Sequence, residues 1–216
     1  MKIQILISKN SWAVKYKSLI KKNLNKFSNN IIFLSDHTKL KGKYDINIIF
    51  SYFKIIKNKY LIKSKYNLVP HESDLPKGRG MSPLTWQIIK GKEMITFSLF
   101  EASEKLDGGP IYSKKKIRIK KHLTFNEIKN IQFNINISLI NIFLKHYKKR
   151  GKPLKSFLPK GNPSYFKTRK PEDSKIDINK SLKTQFDLLR VCDNKNYPAF
   201  FYKDKKKYFL KLIKAK

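Results

Sequence analysis

The chain has 216 residues and a formal net charge of +34, with 49 lysine and arginine residues against 15 aspartate and glutamate residues. The length suits one compact domain with a small appendage, and the single cysteine, Cys192, excludes an intrachain disulfide and a four-cysteine zinc site. No apolar run nears the roughly 18 residues of a membrane helix, so we expect a protein of the reducing cytoplasm with no membrane partner.

The first part of the chain alternates strand-like and helix-like segments. Short apolar runs predict strands at residues 2–8, 31–35, 45–53 and 67–70. Apolar residues at helical spacing predict helices at residues 12–27 and 54–64. This order is typical of an α/β fold with a Rossmann-like, mostly parallel sheet and helices on both faces. Sites in such folds lie at the carboxyl ends of strands, which is where His71 is placed, just past the fourth strand.

Beyond His71 the pattern predicts a helix, two strands and a long helix at residues 82–91, 94–102, 111–119 and 124–149. The first helix has Pro83 at its first position and Gly91 past its end. The second of these strands, at residues 111–119, is rich in lysine, which suits the edge of a sheet. Thr124 and Glu127 have the spacing of a capping box at the start of the long helix.

The last part of the chain is broken by proline, glycine and lysine. Residues 151–173 predict a linker or extended arm, followed by a helix at 181–191 and a closing hairpin at 199–213. We therefore expect a catalytic domain at residues 1–150, with residues 151–216 forming the linker and a small C-terminal helix and hairpin extension.

The positive charge has two interpretations. A charge of +34 favours a nucleic-acid partner, yet only five of the 49 basic residues are arginine, the side chain that phosphate and base readers prefer. The window 71–107 holds six acidic and five basic residues, against the trend of the chain. A phosphate-binding groove is expected to show the opposite bias, so lysine-rich compositional drift is the favoured interpretation.

The segment "HESDLPKGRGMSP" and the later "LDGGPI" resemble the signature of the folate-dependent formyltransferases, which include methionyl-tRNA formyltransferase and the amino-sugar N-formyltransferases. The separation of His71 and Asp107 fits the catalytic pair of that family. Segments 169–177 and 187–202 are similar to the region that follows its catalytic domain. The matching positions of the first block are His71, Ser73, Leu75, Pro76, Arg79, Gly80, Pro83, Gly91 and Thr96.

The resemblance implies that an amine attacks the formyl carbon of 10-formyltetrahydrofolate, without a metal. His71 would stabilise the oxyanion, and Asp107 would orient the imidazole and draw the proton away. The resemblance also assigns roles outside this pair. The implied cofactor-binding residues are Ser51, Tyr52, Ile56 and Asp107, and the implied substrate-binding residues are Ser73 and Arg79.

One position departs from the family pattern. Members of the family carry an asparagine two residues before the histidine, where this chain has Val69. Asn67 lies two residues further back and has the same strand parity. Loss of one oxyanion donor can cost about 100-fold in rate, so a different side chain or a backbone N–H is needed to compensate.

Three functional hypotheses remain open at this point, two of which differ in the acceptor. Residues from about 160 onward are too few for the five-stranded barrel of methionyl-tRNA formyltransferases, which favours a small acceptor, a nucleotide-linked amino sugar. The charge of +34 keeps tRNA as the alternative. The third hypothesis is an inactive formyltransferase-like, basic RNA-binding protein. A homodimer is one arrangement that the sequence allows.

Overall fold

The computed structural model describes residues 1–215. Six strands form the central sheet and four more form two short pairs. In chain order the strands are β1 (Lys2–Leu6), β2 (Asn30–Leu34), β3 (Tyr44–Ile49), β4 (Ser64–His71), β5 (Arg79–Gly80), β6 (Met94–Glu101), β7 (Ile111–Arg118), β8 (Tyr165–Phe166), β9 (Ala199–Lys203) and β10 (Lys206–Leu210). The helices are α1 (Lys17–Leu24), α2 (Asn58–Leu61), α3 (Pro83–Ile89), α4 (Phe125–Arg150) and α5 (Leu182–Leu189), with 3-10 turns at Trp12–Tyr16, His37–Lys39 and Pro171–Ser174.

The central sheet has the order β2-β1-β3-β4-β6-β7. The strands β1 to β4 run parallel, whereas β6 and β7 are antiparallel to their neighbours. The predicted mostly parallel sheet is therefore confirmed, with the lysine-rich β7 at one edge. His71 is the last residue of β4 rather than the residue after it, because it still pairs with Ser98 of β6.

Apolar side chains cover both faces of the sheet because successive strand residues point to opposite sides. Ile5 belongs to the main core, which α1, α3 and α4 cover. Its neighbour Leu6 belongs to a smaller core on the other face, with Leu61 of α2. Within residues 1–215, no helix is both long enough and apolar enough to cross a bilayer.

The long helix α4 begins as its sequence predicts. The side chain of Glu127 accepts hydrogen bonds from the backbone N–H of Thr124 at 2.8 Å and from its hydroxyl at 2.9 Å. These bonds and one to Lys214 hold the pKa of the Glu127 carboxyl down at about 2. The helix ends at Gly151, whose φ of 67° is the left-handed cap that glycine adopts without strain.

The segment after α4 packs back onto the sheet domain. Strand β8 pairs in parallel with β5, which follows the His71 loop. Arg190 is buried, and its guanidinium donates to the carbonyl oxygens of Lys120 at 3.2 Å and Leu123 at 3.3 Å. A small core around Leu189 and Cys192 stabilises the extension itself. The division into residues 1–150 and 151–216 stays a prediction.

Candidate functional site

His71 lies where β4 gives way to the loop that leads to β5. Its side chain is largely buried, and Nε2 is 2.9 Å from the carbonyl oxygen of Gly78. Because a carbonyl oxygen only accepts, Nε2 carries the proton and donates. The ring of Phe100 packs edge-on against the imidazole, which fixes its plane. Within residues 1–215 the other ring nitrogen, Nδ1, makes no hydrogen bond, so it is left for a ligand.

Asp107 reaches His71 from the loop between β6 and β7. Its Oδ2 lies 3.7 Å from Nε2 of His71 and accepts a hydrogen bond of 2.7 Å from the backbone N–H of Gly80. The φ of Asp107 is 44°, a left-handed conformation that aspartate tolerates better than most residues. The structure therefore brings together the two residues that the sequence paired, one from a strand end and one from a loop.

A cavity of about 520 Å³ opens beside this pair, at the carboxyl ends of the parallel strands. The volume is in the range of small-molecule sites. Ser51, Tyr52 and Ile56 line it, and their assignment to cofactor binding stays a prediction. The Tyr52 hydroxyl is held at 2.7 Å by Nδ1 of His37. The apolar part of the wall includes Ile49, Ile56, Val69, Phe100 and Leu106.

Ser73 and Arg79 do not line this cavity. Ser73 is buried under the loop, and its carbonyl oxygen accepts from the hydroxyl of Ser98 at 2.7 Å. Arg79 is also buried, and its backbone N–H donates to Ser164 at 2.9 Å in the strand pair. Their assignment to substrate binding stays a prediction, with no cavity contact behind it. Both residues instead belong to the segment between β4 and α3, which these backbone bonds hold in place.

Asn67 does not replace the asparagine missing at position 69. Its side-chain oxygen accepts from the amide of Asn47 at 3.0 Å, and its amide donates to Leu61 at 3.1 Å and to Glu101 at 3.3 Å. Burial raises the pKa of the Glu101 carboxyl, which its bonds to Asn67 and to the Tyr112 hydroxyl oppose. Asn67 is thus part of a buried structural network, and Val69 itself lines the cavity.

The polar face of α4 completes the cavity wall, and sequence reasoning missed it. Lys129, Gln132 and Asn136 all line the cavity together with Glu72, the residue after His71. The ammonium of Lys129 donates to Gln132 at 2.8 Å, and the amide of Asn136 donates to Glu72 at 2.8 Å. The sequence does carry a pattern that could have identified this face: polar residues recur at i, i+3 and i+7 in a helix otherwise rich in isoleucine, leucine and phenylalanine.

Comparison with known proteins relates this chain to formyltransferases. Residues 35–136 match the model of the family described as formyl transferase, a range that contains His71 and Asp107. The chain is 28% identical over 177 residues to a methionyl-tRNA formyltransferase of Pseudothermotoga lettingae, covering 76% of this chain and 54% of that protein. The chain spans about half the length of the curated methionyl-tRNA formyltransferases it matches.

Solved structures share the fold. A methionyl-tRNA formyltransferase from Clostridium thermocellum superposes with a TM-score of 0.77 at 23% identity, covering 100% of this chain and 94% of that one. A sugar N-formyltransferase from Shewanella sp. FDAARGOS_354 gives a TM-score of 0.65 at 18% identity, covering 98% and 97%. At these identities the likeness establishes the α/β architecture, and the acceptor has to be argued from the residues of the site.

Proposed function

We propose that this chain, whose residues 35–136 match the formyl transferase family model, transfers a formyl group from 10-formyltetrahydrofolate to a primary amine of a nucleotide-linked amino sugar. The observation that carries the proposal is the 3.7 Å approach of Asp107 to His71 at the mouth of the cavity. Residues far apart in the chain meet there, on the sheet edge where α/β folds bind ligands.

The donor fits the apolar part of the cavity. Its pterin ring is flat and carries hydrogen-bonding edges, which suits a wall of aliphatic and aromatic side chains around exposed loop backbone. Residues 51–56 supply such backbone, with Ser51 at a φ of 55°. When bound, 10-formyltetrahydrofolate supplies an activated formyl carbon for the amine to attack.

His71 and Asp107 supply the oxyanion stabilisation and the proton transfer that this reaction needs. Negative charge builds on the formyl oxygen, and a positioned imidazole N–H that meets it is worth about 3 kcal/mol of barrier. Because Gly78 holds the Nε2 proton, Nδ1 is the nitrogen left for that oxygen, and it donates when the ring carries both protons. Asp107 then takes the proton that leaves the amine, directly or through one water, and the leaving nitrogen of the donor is protonated in turn.

A second acceptor, methionyl-tRNA, is favoured by the charge of +34 and by the relatives that carry that name. The two acceptors differ in their response to salt. Each phosphate contact with tRNA releases counterions, so formylation of tRNA falls steeply as the salt concentration rises. A sugar nucleotide with a single diphosphate gives a much shallower slope.

An acceptor screen with 10-formyltetrahydrofolate tests the proposal. Tetrahydrofolate release is measured with nucleotide-linked amino sugars and with methionyl-tRNA over a range of salt concentrations. Turnover of an amino sugar with a shallow salt dependence is the expected result. If only methionyl-tRNA is formylated, the proposed amino-sugar acceptor is wrong and methionyl-tRNA takes its place. Tight RNA binding without formylation of any amine refutes the enzymatic assignment.

A further inference from the structure

We propose that Glu72, Lys129 and Gln132 form a subsite that binds the ring hydroxyl groups of the acceptor, next to the amine that His71 serves. The inference rests on the proposed formyl transfer. It adds that the part of the acceptor in contact with the subsite is a ring that carries hydroxyl groups. The three side chains come from two elements, the His71 loop and the helix α4, and all line the cavity that contains His71 and Asp107.

Lys129 is the cation of this subsite. It lies deep in the wall, with its ammonium 5.0 Å from the ring centroid of Trp12 and 5.5 Å from that of Phe125. Among residues 1–215 its only hydrogen-bond acceptor is Gln132, and no carboxylate lies within ion-pair distance. An ammonium has three N–H donors, so two are left for a ligand.

Glu72 is the matching acceptor. Its side chain is buried, and Asn136 fixes it by donating to Oε1 at 2.8 Å. Within residues 1–215 the second oxygen, Oε2, has no hydrogen-bond donor. Its backbone carbonyl accepts from the amide of Gln87 at 2.6 Å, which ties the position of Glu72 to α3. The carboxylate is therefore held in place with one oxygen free.

The cost of this cluster argues against a purely structural role. Burial lowers the pKa of the Lys129 ammonium to about 8, although Glu72 opposes the effect. The side-chain oxygen of Asn136 is buried and finds no hydrogen-bond partner among residues 1–215. Neighbouring positions of α4 carry buried Ile128, Phe133 and Ile137. An apolar residue at position 129 would avoid the cost of a buried charge, so a lysine at this cavity wall points to a ligand.

The donors and acceptor present define the ligand. A hydroxyl group accepts from an ammonium and donates to a carboxylate, so adjacent ring hydroxyls satisfy Lys129, Gln132 and Glu72 together. The side chain of a methionyl group has no N–H or O–H to donate to Glu72, and its thioether sulfur is only a weak acceptor for Lys129, so it would leave both charges poorly paired. The subsite thus selects a sugar amine over an aminoacyl group.

Isothermal titration of the full chain tests this directly, without relying on turnover. The probes are dTDP- and UDP-linked amino hexoses, each with a matched analogue that lacks one ring hydroxyl. The variants are Lys129→Met, which keeps the length of the side chain, and Glu72→Gln, with Lys145→Met as the control, an exposed lysine elsewhere on α4. We expect the first two variants to raise the Kd for the amino hexose by roughly 10- to 100-fold and the control to leave it unchanged.

The deoxy analogues make the assignment specific. Wild type should bind the analogue that lacks the contacted hydroxyl about as weakly as Lys129→Met binds the complete amino hexose. Lys129→Met should bind this analogue and the complete amino hexose with nearly equal affinity. Kinetics on the same proteins should show the effect mainly in KM. Equal Kd values for wild type and Lys129→Met, or no binding of any amino hexose to wild type, overturn the subsite. Binding without formyl transfer would instead refute the proposed function and leave the subsite standing.

Discussion

Replacing Lys129 with methionine is expected to make the protein more stable at neutral pH while it weakens acceptor binding. The pKa of the ammonium falls from an ordinary 10.5 to about 8, because burial disfavours the charged form. At about 1.4 kcal/mol per pH unit, carrying this charge in the fold costs about 3 kcal/mol. Methionine gives up the bond to Gln132, worth about 1 kcal/mol, and still packs between Trp12 and Phe125.

The net gain is about 2 kcal/mol in the free energy of unfolding, or roughly 4–8 °C in Tm for a chain of this size. The sign follows from a lysine whose pKa is lower in the folded state than in the unfolded state. Its penalty is present in full below pH 8 and is relieved as the pH rises to 10.5. Wild type should therefore approach the variant in stability between these two pH values.

Urea unfolding of wild type, Lys129→Met and the exposed control Lys145→Met at pH 7 and pH 10 measures this. The gap between wild type and Lys129→Met should narrow at pH 10, and the control should track wild type at both values. A variant at position 129 that is less stable than wild type at pH 7, or a gap that does not change with pH, would refute the reasoning. The charge would then be compensated inside the fold.

Three further predictions concern the catalytic pair, the capping box and the strand pair below the loop. His71→Ala should lower kcat by ~100-fold or more with little change in Tm. Asp107→Asn should have the same effect, since asparagine tolerates the left-handed φ of this position. Unchanged turnover in either variant would remove that residue from the mechanism. Thr124→Ala should cost about 1 kcal/mol in urea unfolding by removing the hydroxyl bond to Glu127, and an unchanged midpoint would contradict the capping role. Gly80→Ala should cost more than about 1 kcal/mol and lower turnover, because a Cβ there would clash with the Phe166 carbonyl oxygen at a φ of +98°. Full stability and activity would show that β5 and β8 separate freely.

The loop after His71 was predictable because its signal is local. A short apolar run followed by His71 and a proline- and glycine-broken loop locates a strand end, and in a parallel sheet that end is a site. Asp107 could be paired with His71 only through the family resemblance. The distance of 3.7 Å between them depends on the loop between β6 and β7 folding back over β5, which no periodicity reports.

The chemistry of the rest of the cavity was not predictable from spacing alone. Strand parity puts Asn67 on the same side as position 69, yet β3, β6 and α2 supply Asn47, Glu101 and Leu61, which hold it in a buried network. Parity gives the side of a strand on which a residue lies, and it does not give the partners that the other elements bring.

The sequence by itself determined the alternation of strands and helices, the lysine-rich edge strand, the capping box of α4 and the place of His71. All of these follow from side-chain period and backbone preference within a few residues. Only the tertiary structure decided that Lys129 of α4 and Glu72 line the same cavity and that the C-terminal arm pairs with β5. Those contacts join segments distant in the chain, and the packing of the whole sheet and its covering helices selects them.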